Sequence, residues 1–187
     1  MKKSVYTRPN KPRILPVTKR DIDAIKAPSV IAPALMIHAS TECHVTPPNV
    51  ADQMAAYLGH VSNLLEPSCG TGNLINAASA DNITAIEKNY DLCKIILERT
   101  GIQPICSDFL EYEPETLFDG VLMNPPFSKA RHHVRHAINC LSPGGEIIAL
   151  VPVTFKNELF NAETLETLTN DTFSSAKVFT KIIRMIK

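Results

Sequence analysis

From Val50 to Ile186 the chain alternates short apolar runs with stretches whose apolar residues recur every three or four positions. Val50, Met54, Tyr57 and Leu58 fall on one helical face, and Thr46-Pro47-Pro48 precedes them. Thr46 is suited to cap that helix, and proline is tolerated in a first turn. Val61, Leu64 and Leu65 read as a short buried strand with Glu66 at its carboxyl end, Gly70 and Gly72 as a turn, and Asn73 to Ala80 as a helix. Ile83 to Ile86 is a second strand, closed by Glu87. Tyr90 to Arg99 is a helix that Gly101 stops. Gln103 to Cys106 is a third strand ending near Asp108, and Gly120 to Met123 a fourth, followed by Asn124. Lys129 to Leu141 is helical, Ser142-Pro143-Gly144-Gly145 is a turn, and Glu146 to Val151 is a fifth strand. The stretch to Asn170 has room for one short helix. Val178 to Ile186 is the final strand, expected antiparallel to a short one near Thr172. Strands alternating with helices predict an α/β, doubly wound, mostly parallel sheet with an antiparallel edge strand.

In such sheets ligands bind outside the carboxyl ends of the strands. Four polar residues, Glu66, Glu87, Asp108 and Asn124, stand at the ends of the first four predicted strands. The turn after Glu66 is neither the dinucleotide fingerprint, which needs a third glycine three residues after Gly72, nor a P-loop, which needs Lys-Ser or Lys-Thr. An acidic strand end argues against a phosphate and for a cationic ligand. S-adenosylmethionine (AdoMet), with an α-amine and a sulfonium, is such a ligand.

A second feature is Asn124-Pro125-Pro126-Phe127, directly after the apolar run Val121-Leu122-Met123. Two prolines stiffen the backbone and remove two N–H donors. The Asn124 amide oxygen and the Pro125 carbonyl remain as acceptors beside an aromatic face, an array suited to a flat group carrying an NH2.

On these two motifs the chain resembles class I AdoMet-dependent methyltransferases of the amino-methylating group, and most of all the small DNA adenine-N6 methyltransferases of phages and mobile elements. Glu66-Pro67-Ser68-Cys69-Gly70-Thr71-Gly72 resembles their AdoMet loop, and Asn124 to Phe127 their catalytic tetrapeptide. The likeness runs from about Thr46 to Met185. It implies a seven-stranded Rossmann-like sheet. It also implies roles. Glu66, Pro67, Ser68, the Cys69–Gly72 backbone and Asn73 would face the methionine part of AdoMet. Glu87, with Lys88 beside it, would accept the ribose hydroxyls, Asp108 the adenine amino group, and Phe109 would lie along the ring. Thr46 and Pro47 would contact the AdoMet carboxylate. Asn124, Pro125, Pro126 and Phe127 would bind and stack the target base, a DNA adenine taken out of its duplex.

Composition is that of a soluble globular protein: 187 residues, 44% hydrophobic and 20% charged. Net charge is zero, but its distribution matters more. Residues 1–26 carry eight Lys/Arg against two Asp/Glu, residues 41–126 three against twelve, and residues 127–187 eight against five. The acidic middle holds the expected cofactor site, and the basic ends are placed to flank a nucleic-acid path. Residues 1–26 read as a Pro-rich basic arm with a helical turn near Asp21 to Lys26, and residues 27–187 as the methyltransferase domain, with Ala27 to Ser40 packed on it. No separate target-recognition domain is expected, so specificity would come from loops, the arm or a protein partner. Five scattered cysteines and the absence of a long apolar run predict a reduced, cytoplasmic protein with no membrane span. His132 and His136 are spaced i, i+4, but position 133 is His and not the Glu of a zinc-protease motif. No metal is therefore expected, and Lys129, Arg131, His132, His133, Arg135 and His136 read as a basic, DNA-facing helix. The competing readings are methylation of RNA adenine or of a protein glutamine, where Tyr is usual at the Phe127 position, and a non-catalytic AdoMet-binding subunit.

Overall fold

The computed structural model describes residues 13–15, 35–37, 44–169 and 178–187. Chain contacts divide it into two units, 1–42 and 43–187. In the first, β1 (Arg13–Leu15) pairs antiparallel with β2 (Leu35–Ile37). That ladder crosses the boundary expected at residue 26, because Arg13 is matched to Ile37. The helical turn expected at Asp21 to Lys26 lies outside the described residues.

The second unit is a seven-stranded sheet. Its elements in chain order are α1 (Pro48–Leu58), β3 (His60–Glu66), α2 (Asn73–Ala77), β4 (Ser79–Glu87), α3 (Tyr90–Thr100), β5 (Ile105–Cys106), β6 (Phe118–Met123), α4 (Ala130–Cys140), β7 (Leu141–Pro152), β8 (Glu163–Leu168) and β9 (Thr180–Ile186). The strand order is β5-β4-β3-β6-β7-β9-β8. β9 runs antiparallel to both of its neighbours, and the other pairings are parallel. The order reverses between β3 and β6, and that switch point opens the crevice where open α/β sheets bind ligands.

Alternating side chains send the apolar residues of each central strand to two cores. Leu65, Val121, Met123, Ile147, Ala149 and Ile183 join Val134 and Ala137 of α4. Leu64, Leu122, Ile148, Leu150 and Ile182 join Val50, Ala51 and Met54 of α1. The carboxyl halves of β3 and β4 are buried on both faces while their amino halves are partly exposed, so each strand end emerges from a rigid, enclosed base.

The structure alters several local expectations. The helix expected to reach Ala80 stops at Ala77, and Ser79 begins β4. Ladder pairing with β3 from His60↔Ser79 onward overrides the helix preference of Ala77 to Ala80. Ser142 to Gly145 is not a turn: it lies inside β7, where Leu141 pairs with Phe118 and the register shifts before Glu146 meets Gly120. Gly144 takes φ +81, and a Cβ on Gly145 would come within 3.0 Å of the Phe118 carbonyl, so the irregular ladder needs glycine at both positions. The partner of the last strand is β8, not a segment near Thr172, which lies outside the described residues. The short helix allowed for before Asn170 is a 3-10 turn at Asn157–Leu159. Thr46 does not cap α1; the N-cap is Pro47, and Thr46 is turned to other partners.

Candidate active site

Strand order places the expected polar ends side by side. β3 ends on Glu66, β4 on Glu87, and Asn124 follows the last residue of β6, so the sequence Glu87, Glu66, Asn124 crosses three adjacent strands of one sheet edge, with neighbouring strands about 4.8 Å apart. β5 ends on Cys106, two residues short of Asp108.

The glycine turn is held from several sides. The Cys69 thiol donates to the Glu66 carbonyl (3.2 Å) and the Ile86 carbonyl (3.0 Å), joining the ends of β3 and β4. Glu87 accepts the Gly70 N–H on Oε2 and the Asn89 N–H on Oε1, both at 2.8 Å. Gly72 sits at φ +80, where a Cβ would also meet the Thr100 side chain at 3.0 Å. Pro67 is buried, and Ser68 is half-buried. Arg99, at the end of α3, donates to the Thr71 carbonyl (2.7 Å) and to Asn73 Oδ1 (3.0 Å). Arg99 was not legible as a site residue, because its partners lie 26 and 28 positions away.

Glu66 is the least satisfied group in this turn. It is 1% exposed, and Oε2 is buried without a partner among the described residues. Burial first, and then the neighbouring Glu87 charge, holds its carboxyl well above the ordinary value of 4.5. Glu87 is raised as well, chiefly by burial, against the three backbone N–H groups that lower it. A buried acid with an unused acceptor fits a cationic or hydrogen-bond-donating ligand group.

The sign of the linkage gives a test. Folded Glu66 binds its proton more tightly than unfolded Glu66, so its contribution to stability is full below pH about 4.5 and is lost as pH rises through the raised folded value. Glu66→Gln, which keeps the shape and cannot ionise, should remove that loss. Denaturant unfolding without cofactor should show the wild type falling relative to the variant as pH rises above 4.5. Parallel curves would mean that Glu66 is ionised at no cost.

The second motif meets the first through Thr46. Asn124 Nδ2 donates to the His44 carbonyl (2.8 Å) and to Thr46 Oγ1 (2.9 Å), and the Thr46 carbonyl accepts from Asn73 Nδ2 (2.7 Å). Asn124 Oδ1 is buried and has no partner among the described residues. Pro125 is buried, Pro126 is half-buried and precedes the 3-10 turn Phe127–Lys129, and half-buried Phe127 stacks on the His44 imidazole with centroids 4.6 Å apart and planes 19° from parallel. His44 carried no sequence signal, since neither its carbonyl nor its stacking is visible in a pattern.

The remaining expected residues have partners of their own. Asp108 pairs with Lys88 (2.7 Å) and caps the 3-10 turn Phe109–Glu111 through the Leu110 N–H (3.1 Å). Its hydrogen bond with Lys88 holds it below the ordinary carboxylate range. Phe109 lies in the core, 2% exposed, with His133 and His136 against its ring at 5.7 and 4.7 Å. His133 is likewise not on a DNA-facing surface. It is buried on the inner face of α4 with Val134 and Ala137, and burial depresses its basicity. His136 bonds the Tyr112 carbonyl (2.8 Å). Arg131, His132 and Arg135 remain on the exposed face of α4. Among the described residues, no group of three or more His, Cys, Asp or Glu is arranged to hold a metal, and no helix is long and apolar enough to cross a membrane.

No protein-family model matches the chain. A type II methyltransferase, M.CvrRI, of Paramecium bursaria Chlorella virus XZ-6E is 23% identical over 150 residues, covering 67% of this chain and 40% of the viral protein. The chain thus spans less than half the length of that relative. The structure of the 23S rRNA methyltransferase ErmE superposes with a TM-score of 0.67 at 17% identity, covering 78% of this chain and 70% of that one. A Listeria monocytogenes protein described as a class I S-adenosylmethionine-dependent methyltransferase superposes at 0.60 and 15% identity, over 76% and 60% of the two chains. With its seven-stranded sheet and β9 inserted antiparallel, the chain has the class I AdoMet-dependent methyltransferase fold and resembles a viral type II methyltransferase.

Proposed function

We propose that this protein transfers a methyl group from AdoMet to an exocyclic amino nitrogen, adenine N6 in DNA. The observation that carries this is the Asn124 amide: its nitrogen is fully engaged, and its oxygen is buried, unused and next to an aromatic residue. An acceptor without a donor is costly to enclose. A planar amine supplies the donor.

The residues fit the cofactor. The unpaired Glu66 oxygen suits the α-ammonium, the Gly70–Gly72 turn allows close backbone approach, and each Glu87 oxygen keeps a second lone pair for a ribose hydroxyl. When bound, AdoMet supplies a methyl group carried on a positively charged sulfur. The protein's part is electrostatic and positional. An exocyclic amine is a poor nucleophile because its lone pair is delocalised into the ring. Asn124 Oδ1 and the Pro125 carbonyl accept its two hydrogens, favour a more tetrahedral nitrogen and stabilise the positive charge that develops there. Phe127 stacks on the base and holds it in line, a contact worth about 1–3 kcal/mol. No general base is needed before attack.

The test uses tritiated AdoMet with duplex DNA, single-stranded DNA, RNA and a protein extract, followed by hydrolysis and identification of the labelled product. N6-methyladenine from DNA is expected. Label in RNA adenine or in glutamine would move the substrate, and AdoMet binding without any transfer would leave a binding subunit.

Nucleic-acid binding falls to the exposed basic side of α4, which begins directly after the Phe127 turn. Replacing Arg131 and Arg135 by Ala should weaken DNA binding and flatten the log–log salt dependence by about 0.9 for each phosphate no longer neutralised. AdoMet affinity should not change. An unchanged salt slope would remove α4 from the DNA path; deletion of residues 1–26 tests the basic arm in the same way.

A further inference from the structure

We infer that Thr46 is a positioning residue for methyl transfer: its hydroxyl oxygen takes the second amide hydrogen of Asn124 and holds the side chain in the orientation that the His44 carbonyl selects. The inference rests on the role proposed for Asn124. An asparagine amide is nearly symmetric in shape, and rotating it by half a turn exchanges an acceptor for a donor. In one orientation it accepts a hydrogen from an incoming amine; in the other it offers N–H to N–H and repels it.

One acceptor decides the orientation, and a second group holds the amide in place. The His44 carbonyl, 2.8 Å from the amide, can only accept, so the atom facing it is nitrogen. Thr46 Oγ1, at 2.9 Å, takes the second hydrogen. Rotation would set oxygen against oxygen at the His44 carbonyl and lose that bond, while the Thr46 hydroxyl, which can donate as well as accept, anchors the amide in either case. The remaining amide atom is therefore Oδ1, the one without a partner among the described residues. Thr46 is itself fixed: it is 6% exposed, and its carbonyl is held by Asn73 Nδ2 at 2.7 Å, which Arg99 braces in turn. One residue thus ties the amide of the second motif to the end of the glycine turn. This contact uses the hydroxyl oxygen and is separate from the cofactor-carboxylate contact that the resemblance implies for Thr46, which would use the hydroxyl hydrogen.

The test is a comparison of Thr46→Val, which keeps the shape and removes the acceptor, with Thr46→Ser, which restores it. Methyl transfer to duplex DNA, AdoMet affinity by calorimetry and thermal midpoint are measured on the same preparations. Thr46→Val should lower kcat by roughly tenfold to hundredfold, the scale of a misplaced reacting group, with AdoMet affinity near that of the wild type. Thr46→Ser should recover most of kcat. In an Asn124→Ala background, Thr46→Val should add little, since a residue acting only through Asn124 has nothing left to orient. Full additivity of the two changes would overturn the inference. So would weakened AdoMet binding with kcat retained, or a Thr46→Ser defect as large as that of Thr46→Val. Asn124→Ala inactive beside fully active Thr46→Val would sink this inference alone; full turnover in Asn124→Ala would sink the reading beneath it.

Discussion

Asn124→Ala is expected to reduce turnover by about 10²–10³ while leaving AdoMet affinity close to normal, the cost of one preorganised partner of the transition state. The substitution removes the free Oδ1 and also the two donors that hold Thr46 and His44. It leaves untouched the ties of the glycine turn, which run through Glu87, Cys69 and Arg99. Phe127→Ala is expected to fail differently. It removes a stacking face, so KM for the base-containing substrate rises and part of the turnover returns at high substrate. Phe127→Trp keeps a ring and should retain more activity. Both measurements, methyl transfer and AdoMet binding, are needed on one preparation. Full turnover in Asn124→Ala would reduce Asn124 to Phe127 to a strand-ending turn.

Glu87→Ala is expected to weaken AdoMet binding by about 1.5–3 kcal/mol, the range for hydrogen bonds to a charged group, and also to lower the thermal midpoint. The second effect follows from the bonds that Glu87 makes. In the structure Glu87 is 6% exposed and both of its oxygens hold backbone N–H groups, one in the glycine turn and one at the start of α3. Truncation leaves two enclosed donors unpaired, each costing about 1–3 kcal/mol if water cannot reach it. Glu87→Gln should be intermediate in stability, since its one acceptor satisfies a single N–H and its NH2 opposes the other. Calorimetry with unchanged affinity would take Glu87 out of the cofactor site. An unchanged melting midpoint would mean that the turn is held without it.

The alternating order of elements, the parallel sheet and three of the four polar strand ends are legible in the chain alone. Those features are written locally. Period-two and period-three-to-four apolar patterns reveal strands and helices, Gly70 and Gly72 mark the bend, and Glu66, Glu87 and Asn124 follow directly on apolar runs. Asp108 was legible as a polar residue after a strand but not as the partner of Lys88. His133 resembles a surface residue in the sequence, yet the packing of α4 encloses it beside Phe109. The start of β4 at Ser79 and the extended path through Ser142 to Gly145 came from ladder pairing with strands distant in the chain, which outweighs local helix and turn preferences. The same holds for chemistry. His44, Thr46, Asn73, Arg99 and Asn124 form one hydrogen-bonded chain across a span of 81 residues, from His44 to Asn124. No local pattern encodes such a network, because each bond depends on where the packed sheet sets two backbones side by side. Which end of an amide faces a substrate is therefore decided by tertiary structure alone.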